Sequence, residues 1–436
     1  MNTASPAAAT PARKSLFANR DFSLLFGGSS ISAFGDQFTL VALPWLVLKL
    51  TGNPAALGIV LAVMAFPRAA FMLVGGAIVD RMSPRRVLLG ARAVNAACIV
   101  VLAALVLAGT IQMWMVYLLA LGIGLSTAFA YPAGSAILPQ LVKLDQLRAA
   151  NAAFMGMRQL SMVVGPVLAG FVIALGAHHP STQALQDETG LGLAFSIDAA
   201  SFVFSLASLA MVRIHGDFHP PKSGGGVFAS IAAGVRYVWA DVPLRAFVIY
   251  ASFVSVFVGG PIQVGLPVLA DTRLNLGAAS LGILMTAQGV GMFAGSFLSG
   301  LGQKLVRGHL GVMVLCIDSI VGLTLAALTL VHTTYFGAAL LFCTGLLGGM
   351  VQIAIFTWIQ QRVSQAMMGR TMSILMFTFM GLGPLSAAAA GALLKVISLT
   401  ALFGVAGLAL TVIALCCLGS PKMRSIRAMK PEAAQA

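Results

Sequence analysis

Charged side chains inside long apolar segments are the part of this sequence that could do chemistry. Asp36, Arg68, Arg158 and Asp198 each lie within a segment of mostly apolar residues. An ionisable group in the hydrocarbon core of a bilayer is costly unless it is paired or hydrated. A carboxylate that is alternately desolvated and ion-paired can bind and release a proton, so these positions are candidates for proton coupling or substrate binding.

Asp36 and Arg158 form the leading candidate pair. Asp36 lies near the middle of the first apolar segment, and Arg158 lies in the fifth. Opposite charges stabilise each other at this depth, and protonation of the carboxylate would break the pair. The alternative is a permanent salt bridge that only orients two helices, because structural ion pairs also occupy such positions.

Asp198 and Arg68 each allow two interpretations. Asp198, in the sixth apolar segment, is either a second proton or cation site or a carboxylate that accepts hydrogen bonds from Ser196, Ser201 or backbone groups. Arg68 follows Pro67, so it either reaches a carbonyl beside a kinked backbone or binds an anionic group of a substrate. The sequence leaves both choices open.

Composition places most of the chain in a membrane. Of its 436 residues, 59% are hydrophobic and only 9% are charged, whereas soluble proteins carry about 25% charged residues. A helix needs about 20 mostly apolar residues to cross a bilayer. Twelve crossings are predicted, near residues 22–48, 56–79, 87–109, 113–137, 149–176, 191–212, 242–270, 278–301, 310–331, 335–359, 371–396 and 399–418.

Asp318 lies a turn or two inside the ninth of these segments. Its carboxylate is expected to reach the nearby membrane surface.

Basic residues predict the orientation of these segments. The net charge is +14, which in a soluble protein would indicate nucleic-acid binding. Here most Lys and Arg residues fall on one side of twelve crossings, with Arg92 counted in the loop before the third segment. Lys and Arg in short loops stay on the cytoplasmic side, so both termini are predicted to be cytoplasmic and no nucleic-acid partner is expected.

The two halves of the chain share short motifs. Leu57-Gly58 recurs as Leu281-Gly282, and Gly165-Pro166 recurs as Gly383-Pro384. A repeat of half the chain predicts an all-α polytopic membrane protein built from two pseudo-symmetric six-helix halves. The predicted domains are a cytoplasmic tail at 1–21, a six-helix bundle at 22–212, a cytoplasmic linker with an amphipathic helix at 213–241, a second six-helix bundle at 242–418 and a cytoplasmic tail at 419–436.

The loop after the second segment carries the most specific motif. Residues 76–86 read GAIVDRMSPRR, which resembles the G-x-x-x-D-R-x-G-R-R signature of the major facilitator superfamily, with Ser83 and Pro84 in place of a glycine and a basic residue. The resemblance extends over nearly the whole chain. It implies the major facilitator fold, in which 12 transmembrane helices form two halves around a midplane site and expose that site alternately to either side.

The same resemblance assigns roles within this loop. Gly76, Asp80, Arg81 and Arg85 are predicted to form a conformational latch that stabilises the outward-open state, with Arg81 and Arg85 bridging to the other half. A basic loop that only sets the topology is the alternative. The corresponding loop of the second half, residues 300–307, lacks an acidic residue, so the latch is expected on one side only.

Small residues at regular spacing predict close contacts between helices. Gly291-x-x-x-Gly295 and Gly345-x-x-x-Gly349 are packing motifs. Gly165-Pro166, followed by Gly170, is similar to the antiporter signature that marks exporters in the superfamily, although two of the signature's glycines are replaced. Gly383-Pro384 occupies the equivalent place in the second half.

Several segments resemble the branch of the superfamily that contains macrolide exporters and the enterobactin exporter. They are LFANRDFSLLF from residue 16, ILPQLVKLDQLRAANAAFMGMRQL from residue 137 and IDAASF from residue 197. The resemblance implies a secondary active transporter that exports amphiphilic small molecules, drug- or siderophore-like, by alternating access and proton antiport. It places Asp36 and Arg158 at a central cavity, with protons, a small-molecule substrate and the lipid bilayer as partners.

Other functions remain open at this point. The same fold suits a lipid or lysolipid carrier, and a non-transporting membrane sensor or enzyme belongs to a different class. The sequence contains no Walker A, HExxH, GxSxG or GxGxxG pattern, so no catalytic residue, metal or cofactor is expected. The resemblance implies a monomer in the bacterial inner membrane.

Overall fold

The computed structural model describes residues 16–79, 83–176, 186–213, 227–305, 309–424 and 426, and these are mostly helical. A 3-10 turn at Leu16–Ala18 comes first. The helices of the first half are α1 (Arg20–Thr51), α2 (Pro54–Val79), α3 (Pro84–Leu107), α4 (Met113–Leu141), α5 (Leu144–Leu175) and α6 (Gln186–Met211). They are followed by α7 (Val227–Ala240), α8 (Val242–Arg273), α9 (Ala278–Leu305), α10 (Leu310–Ala327), α11 (Thr334–Arg362), α12 (Gln365–Leu393), α13 (Leu399–Leu418) and α14 (Pro421–Arg424).

Twelve of these helices account for the twelve predicted membrane crossings. Within the described residues, eleven helices have the length and apolar composition needed to span a bilayer, namely all except α2, α7 and α14. α2 contributes a shorter apolar stretch, Pro54–Arg68, within its 26 residues. The predicted all-α fold with twelve membrane helices is therefore confirmed.

α7 lies between the two bundles, in the predicted linker. Its Gly234 packs against α12, where an added Cβ would lie 3.0 Å from the Cβ of Arg370. Val238 of α7 is buried, whereas Val235 and Trp239 are exposed. One face of α7 therefore packs against the second half, and another face stays accessible.

Polar side chains fix where several membrane helices begin. Asn19 caps α1 and Asp241 caps α8, each by accepting hydrogen bonds from backbone N–H groups of the first turn. Asp241 also forms a two-point salt bridge with Arg362 at the end of α11, at 2.9 and 3.1 Å. This carboxylate therefore sets the start of α8 and joins it to α11.

The two ends of the bundle differ in how the halves meet. We call the end where α1 begins and α13 ends the terminal face, and the opposite end the far face. At the far face one apolar core joins both halves and includes Leu57, Leu281 and Phe403. Toward the terminal face each half has its own core, around Phe22 in the first half and Trp358 in the second. Among the described residues, the halves thus share an apolar core at the far face, and their cores are separate toward the terminal face.

The repeated motifs form the contacts that close the far face. Gly58 of α2 packs against α12, where an added Cβ would lie 2.7 Å from the carbonyl oxygen of Ala387. Gly282 of α9 packs against α5 in the equivalent way, with an added Cβ 3.1 Å from the Cα of Gly170. Small residues allow the backbones to approach this closely. The sequence repeat therefore corresponds to two equivalent crossings between the halves.

A salt bridge also joins the halves at the far face. Lys49 at the end of α1 lies 3.3 Å from Asp271 at the end of α8, and the Lys49 ammonium group lies 5.1 Å from the centre of the Trp45 ring. Trp45 packs beside Gly277, where an added Cβ would lie 3.2 Å from the ring. Both charged partners are partly exposed, so the salt bridge contributes at most about 1 kcal/mol. Its main effect is to align the two halves.

The two four-residue glycine motifs pack against each other. An added Cβ on Gly291 of α9 would lie 2.9 Å from the backbone nitrogen of Leu346, and one on Gly345 of α11 would lie 3.0 Å from that of Met292. The remaining glycine of each motif is also close to the backbone of the partner helix. The prediction that these motifs pack helices is confirmed, because they hold α9 against α11.

The substitution Gly58→Val is expected to open the far face. The added side chain meets a backbone carbonyl of the other half, and relief of such a clash costs roughly 1–3 kcal/mol unless the halves move apart. Spin labels at Thr110 and Val396, which are exposed far-face positions in opposite halves, should report longer distances. Gly90→Val is the matched control, since nothing lies within 4 Å of an added Cβ there. Unchanged distances in Gly58→Val would contradict this account of the contact.

Candidate functional site

α1 is tightly packed on both sides of Asp36. Gly35 lies against α6, where an added Cβ would be 2.5 Å from a carboxylate oxygen of Asp198. Gln37 is buried, and its side chain lies against Gly165 of α5. These two contacts fix the rotation of α1 and leave the Asp36 side chain exposed to solvent-accessible space.

Two arginines act on Asp36 from neighbouring helices. Arg92 of α3 and Arg158 of α5 both interact electrostatically with its carboxylate, and the effect of Arg92 is the larger. A side chain influenced by charged groups on two other helices faces the bundle interior rather than lipid. Within the described part of the chain, neither arginine forms a salt bridge with Asp36, and no hydrogen bond to its carboxylate is present.

Arg158 makes a different contact in this conformation. Its guanidinium lies over the ring of Tyr131 of α4, 5.2 Å from the ring centre, which is the geometry of a cation–π interaction. The Arg158 side chain is exposed. The structure therefore brings Asp36 and Arg158 within electrostatic reach without joining them in a salt bridge.

Arg92 lies inside α3 and not in the preceding loop, so its assignment from sequence is wrong. Its Nη2 donates a hydrogen bond to Ser29 Oγ of α1 at 2.7 Å, and its Nη1 donates to the Ser205 carbonyl of α6 at 3.4 Å. A count of basic residues by loop overlooks an arginine close to a helix end. The signal that could have found it is its position inside the predicted crossing at 87–109.

Asp198 is fully buried in the contact between α1 and α6. Its carboxylate accepts hydrogen bonds from Thr39 Oγ1 of α1 and from Ser201 Oγ of its own helix, the latter at 3.2 Å. Ser196 instead donates to a backbone carbonyl of α6. Asp198 thus links α1 to α6, and it is close enough to Asp36 for the two carboxyl groups to interact electrostatically.

Arg68 of α2 completes the group of charges in the first half. It interacts electrostatically with Tyr131 and Arg158. Its Nε is buried, and no hydrogen bond from Arg68 to a carbonyl is present in the described ranges. Asp36, Arg68, Arg92, Tyr131 and Arg158 come from five different helices, and we call them the first-half charge cluster.

Asp318 does not reach the membrane surface, so the expectation from sequence is wrong. Its side chain is 7% exposed, and the carboxylate accepts a hydrogen bond from the Tyr250 hydroxyl of α8 at 2.8 Å. Tyr250 is itself 3% exposed. Because this buried donor satisfies the carboxylate within the packed second half, the side chain has no need to extend toward water.

A small apolar pocket of about 130 Å³ lies elsewhere, in the second half. It is lined by residues of α8, α12 and α13, among them Phe257, Pro261 and Leu402, and Ser386 is its polar member. The Ser386 hydroxyl is already engaged, since it donates to the Val256 carbonyl. With no charged group in its lining, this pocket is separate from the first-half charge cluster.

Known proteins are similar to this chain in sequence and in fold. The sequence profile of the Major Facilitator Superfamily matches residues 25–388. The chain belongs to this superfamily. It is therefore a multi-pass membrane transporter rather than an enzyme.

Two exporters are among the relatives of this major facilitator. The multidrug efflux pump Tap of Mycobacterium tuberculosis is 25% identical over 421 residues, covering 93% of this chain and 94% of Tap. The enterobactin exporter EntS of Salmonella choleraesuis is 25% identical over 331 residues, covering 76% of this chain and 75% of EntS. The predicted resemblance to this branch is confirmed. A crystal structure of the peptide transporter POT matches with a TM-score of 0.70 at 15% identity, covering 97% of this chain and 98% of POT, and supports the fold alone.

Part of the superfamily's loop motif lies outside the described residues. This applies to Asp80 and Arg81, and for Gly76 the structure describes only its helical backbone in α2. Arg85 lies in the first turn of α3, and its Nη2 donates to the Ala210 carbonyl at the end of α6 at 2.8 Å. Arg85 therefore contacts its own half. Its predicted bridge to the other half, as part of a latch that stabilises the outward-open state, stays a prediction.

The antiporter-like motif of this major facilitator and its counterpart in the second half lie at three helix contacts. Gly165-Pro166 lies inside α5, where its glycine permits the contact with α1 described above. Gly170, one turn further on, faces Gly282 of α9 in the other half. In α12, Gly383-Pro384 lies beside α8, with an added Cβ on its glycine 3.3 Å from Gln263 Nε2. The motif therefore contributes to helix packing in both halves.

Thr39→Val is expected to destabilise the contact between α1 and α6. The substitution keeps the side-chain shape but removes a donor from the buried Asp198 carboxylate, and loss of a partner to a buried group costs roughly 1–3 kcal/mol. Thr127→Val is the matched control, because the Thr127 hydroxyl bonds only within its own helix at Ile123. Thermal unfolding of the detergent-solubilised protein should show a lower midpoint for Thr39→Val than for Thr127→Val. Equal midpoints would mean that the hydrogen bond to Asp198 adds no stability.

Proposed function

We propose that this protein exports amphiphilic small molecules, drug- or siderophore-like, across the bacterial inner membrane by alternating access and proton antiport. The observation that carries the proposal is the first-half charge cluster, in which the exposed carboxylate of Asp36 lies inside the bundle with two arginines acting on it. A multidrug efflux pump and an enterobactin exporter among the relatives support the direction of transport and the class of cargo.

The terminal face is the cytoplasmic face in this proposal. Lys and Arg residues concentrate in the segments that twelve crossings place on the side of both termini, and such residues stay in the cytoplasm. The structure then corresponds to an inward-open state, since the halves share a core at the far face. This state is suited to loading a substrate from the cytoplasm.

Asp36 is ionised in the loading step of the proposed cycle. The Asp36 side chain is exposed in the structure, and in this proposal it releases its proton to cytoplasmic water. Arg92 and Arg158 stabilise the resulting negative charge. Substrate then enters the cavity from the cytoplasm or from the adjacent membrane leaflet.

Protonation of Asp36 drives the second half of the cycle. In the outward-open state the carboxylate meets the higher proton concentration outside, and binding a proton removes its attraction for the two arginines. Coupling arises if the ionised and neutral forms of Asp36 favour different conformations and different substrate affinities. The protonated, empty transporter then returns to the inward-open state.

Asp36→Asn is expected to uncouple transport from protons. Coupling between two binding sites typically changes affinity by roughly 5–150-fold, and the effect of protons on substrate affinity should be lost because asparagine cannot ionise. Purified protein in liposomes with an imposed pH gradient would be assayed for internal pH and for uptake of a cationic dye, a macrolide, a catecholate siderophore and a fluorescent lysolipid. Substrate-dependent proton movement should occur in the unsubstituted protein and be absent in the variant.

Asp318→Asn provides the matched control for this assay. Asp318 is a buried carboxylate of the second half, and asparagine can still accept the hydrogen bond from Tyr250. Coupled transport should therefore survive in Asp318→Asn. Coupled transport that survives equally in Asp36→Asn would remove Asp36 from the mechanism, and movement of the lysolipid alone without protons would favour a lipid carrier.

A further inference from the structure

Arg92 and Arg158 both act on Asp36, but the structure holds them differently. Arg92 is anchored at two points, donating to Ser29 Oγ of α1 at 2.7 Å and to the Ser205 carbonyl of α6 at 3.4 Å. Arg158 is exposed, and its contact in the described part of the chain is the face of an aromatic ring on α4. The anchored arginine also has the larger electrostatic effect on Asp36.

The helices that carry these arginines differ in what they pack against. α6 packs against both α1 and α3 within the first half, so the anchors of Arg92 move together with Asp36 when a half moves as a unit. α5 packs against α9 of the other half, at Gly170 and Gly282 among other residues. Arg158 therefore lies on a helix at the interface between the halves, whereas both anchors of Arg92 lie within the first half.

We propose that Arg92 is the permanent counter-ion of Asp36 and that Arg158 is its exchangeable one. Arg92 is a positioning residue: its charge keeps the Asp36 carboxylate ionised in the inward-open state. Its hydrogen bonds to Ser29 and Ser205 fix the position of its guanidinium group. Arg158 is free to leave the Tyr131 ring and approach or release Asp36 during the cycle. The division of roles rests on the proposed function.

Other charged groups near Asp36 are consistent with this division. Asp198 of α6 interacts electrostatically with Asp36, and a negative charge on Asp198 would oppose the effect of Arg92. Arg68 of α2 is close to Arg158 and interacts with it unfavourably, which helps Arg158 to leave its position. Removal of Arg92 would thus leave Asp36 with a carboxylate neighbour and a cation that has no fixed place.

Chemical labelling of Asp36 tests the proposal without any assumption about cargo. A carbodiimide modifies protonated carboxyl groups, and mass spectrometry of the full-length purified protein would give the fraction of Asp36 labelled at each pH. In Arg92→Gln the midpoint of labelling should move to higher pH by roughly one unit, as expected when a unit charge several ångström away is removed at an effective dielectric constant of about 20. Arg92→Lys should largely restore the original midpoint. Arg158→Gln should move it less than Arg92→Gln.

Ser29→Ala separates the electrostatic role from a structural one. This variant removes one hydrogen bond of Arg92 and keeps its charge. A lower thermal stability is expected in both Ser29→Ala and Arg92→Gln, but a shifted midpoint of labelling is expected mainly in Arg92→Gln.

Several results would overturn the proposal. The first is a labelling midpoint that is the same in Arg92→Gln and the unsubstituted protein, and the second is an absence of labelling in Arg92→Gln at any pH. The third is a shift of the midpoint in Ser29→Ala as large as that in Arg92→Gln. The fourth is a midpoint in Arg92→Lys that stays as far from the original as in Arg92→Gln. Failure of the proposed function has a different signature, namely no proton-coupled transport in liposomes together with the expected shift in labelling.

Discussion

An ionisable side chain inside a membrane must be compensated, and this requirement accounts for the polar contacts at the centre of the protein. Asp198 is compensated by two hydroxyl donors, and Asp318 by the hydroxyl of Tyr250. Both carboxylates are buried in packed helix contacts, so their environment is fixed. Asp36 differs because its carboxylate is exposed and its compensation comes from arginines at a distance. The proposed mechanism assigns the proton to the one of these three carboxylates whose surroundings can change.

A transporter that alternates also needs contacts between its halves that break at low cost. The far face meets this need with small residues, since Gly58 and Gly282 bring backbones together without inserting side chains. The salt bridge between Lys49 and Asp271 lies where both partners are partly exposed, so water can solvate both charges after the halves separate. The contacts that close this face therefore leave no buried charge unpaired when they open. The same glycines recur at half the chain length, which gives both crossings similar properties.

The helices could be predicted from the sequence, whereas the partners of the charged residues could not. In a bilayer the backbone must be satisfied within each helix, so apolar segments and a half-chain repeat leave few alternative folds. The packing role of the glycine motifs in α9 and α11 could also be predicted, because close packing of helices needs small residues at that spacing. The bonds from Tyr250 to Asp318 and from Arg85 to Ala210 join residues on different helices. A single sequence does not show which helix faces adjoin. Arg92 was missed for a different reason, because it was counted with the preceding loop although it lies inside the predicted crossing at 87–109.

The most direct test of the account is whether the charge of Asp36 controls the conformation. Distances between spin labels at Thr110 and Val396 on the far face would be measured at several pH values in the unsubstituted protein and in Asp36→Asn, without substrate. The account predicts that lowering the pH decreases the population with an open far face in the unsubstituted protein, because protonation of Asp36 favours the return to the inward-open state. It also predicts that Asp36→Asn shows the low-pH distribution at every pH. The same pH response in both proteins would contradict the central role of Asp36.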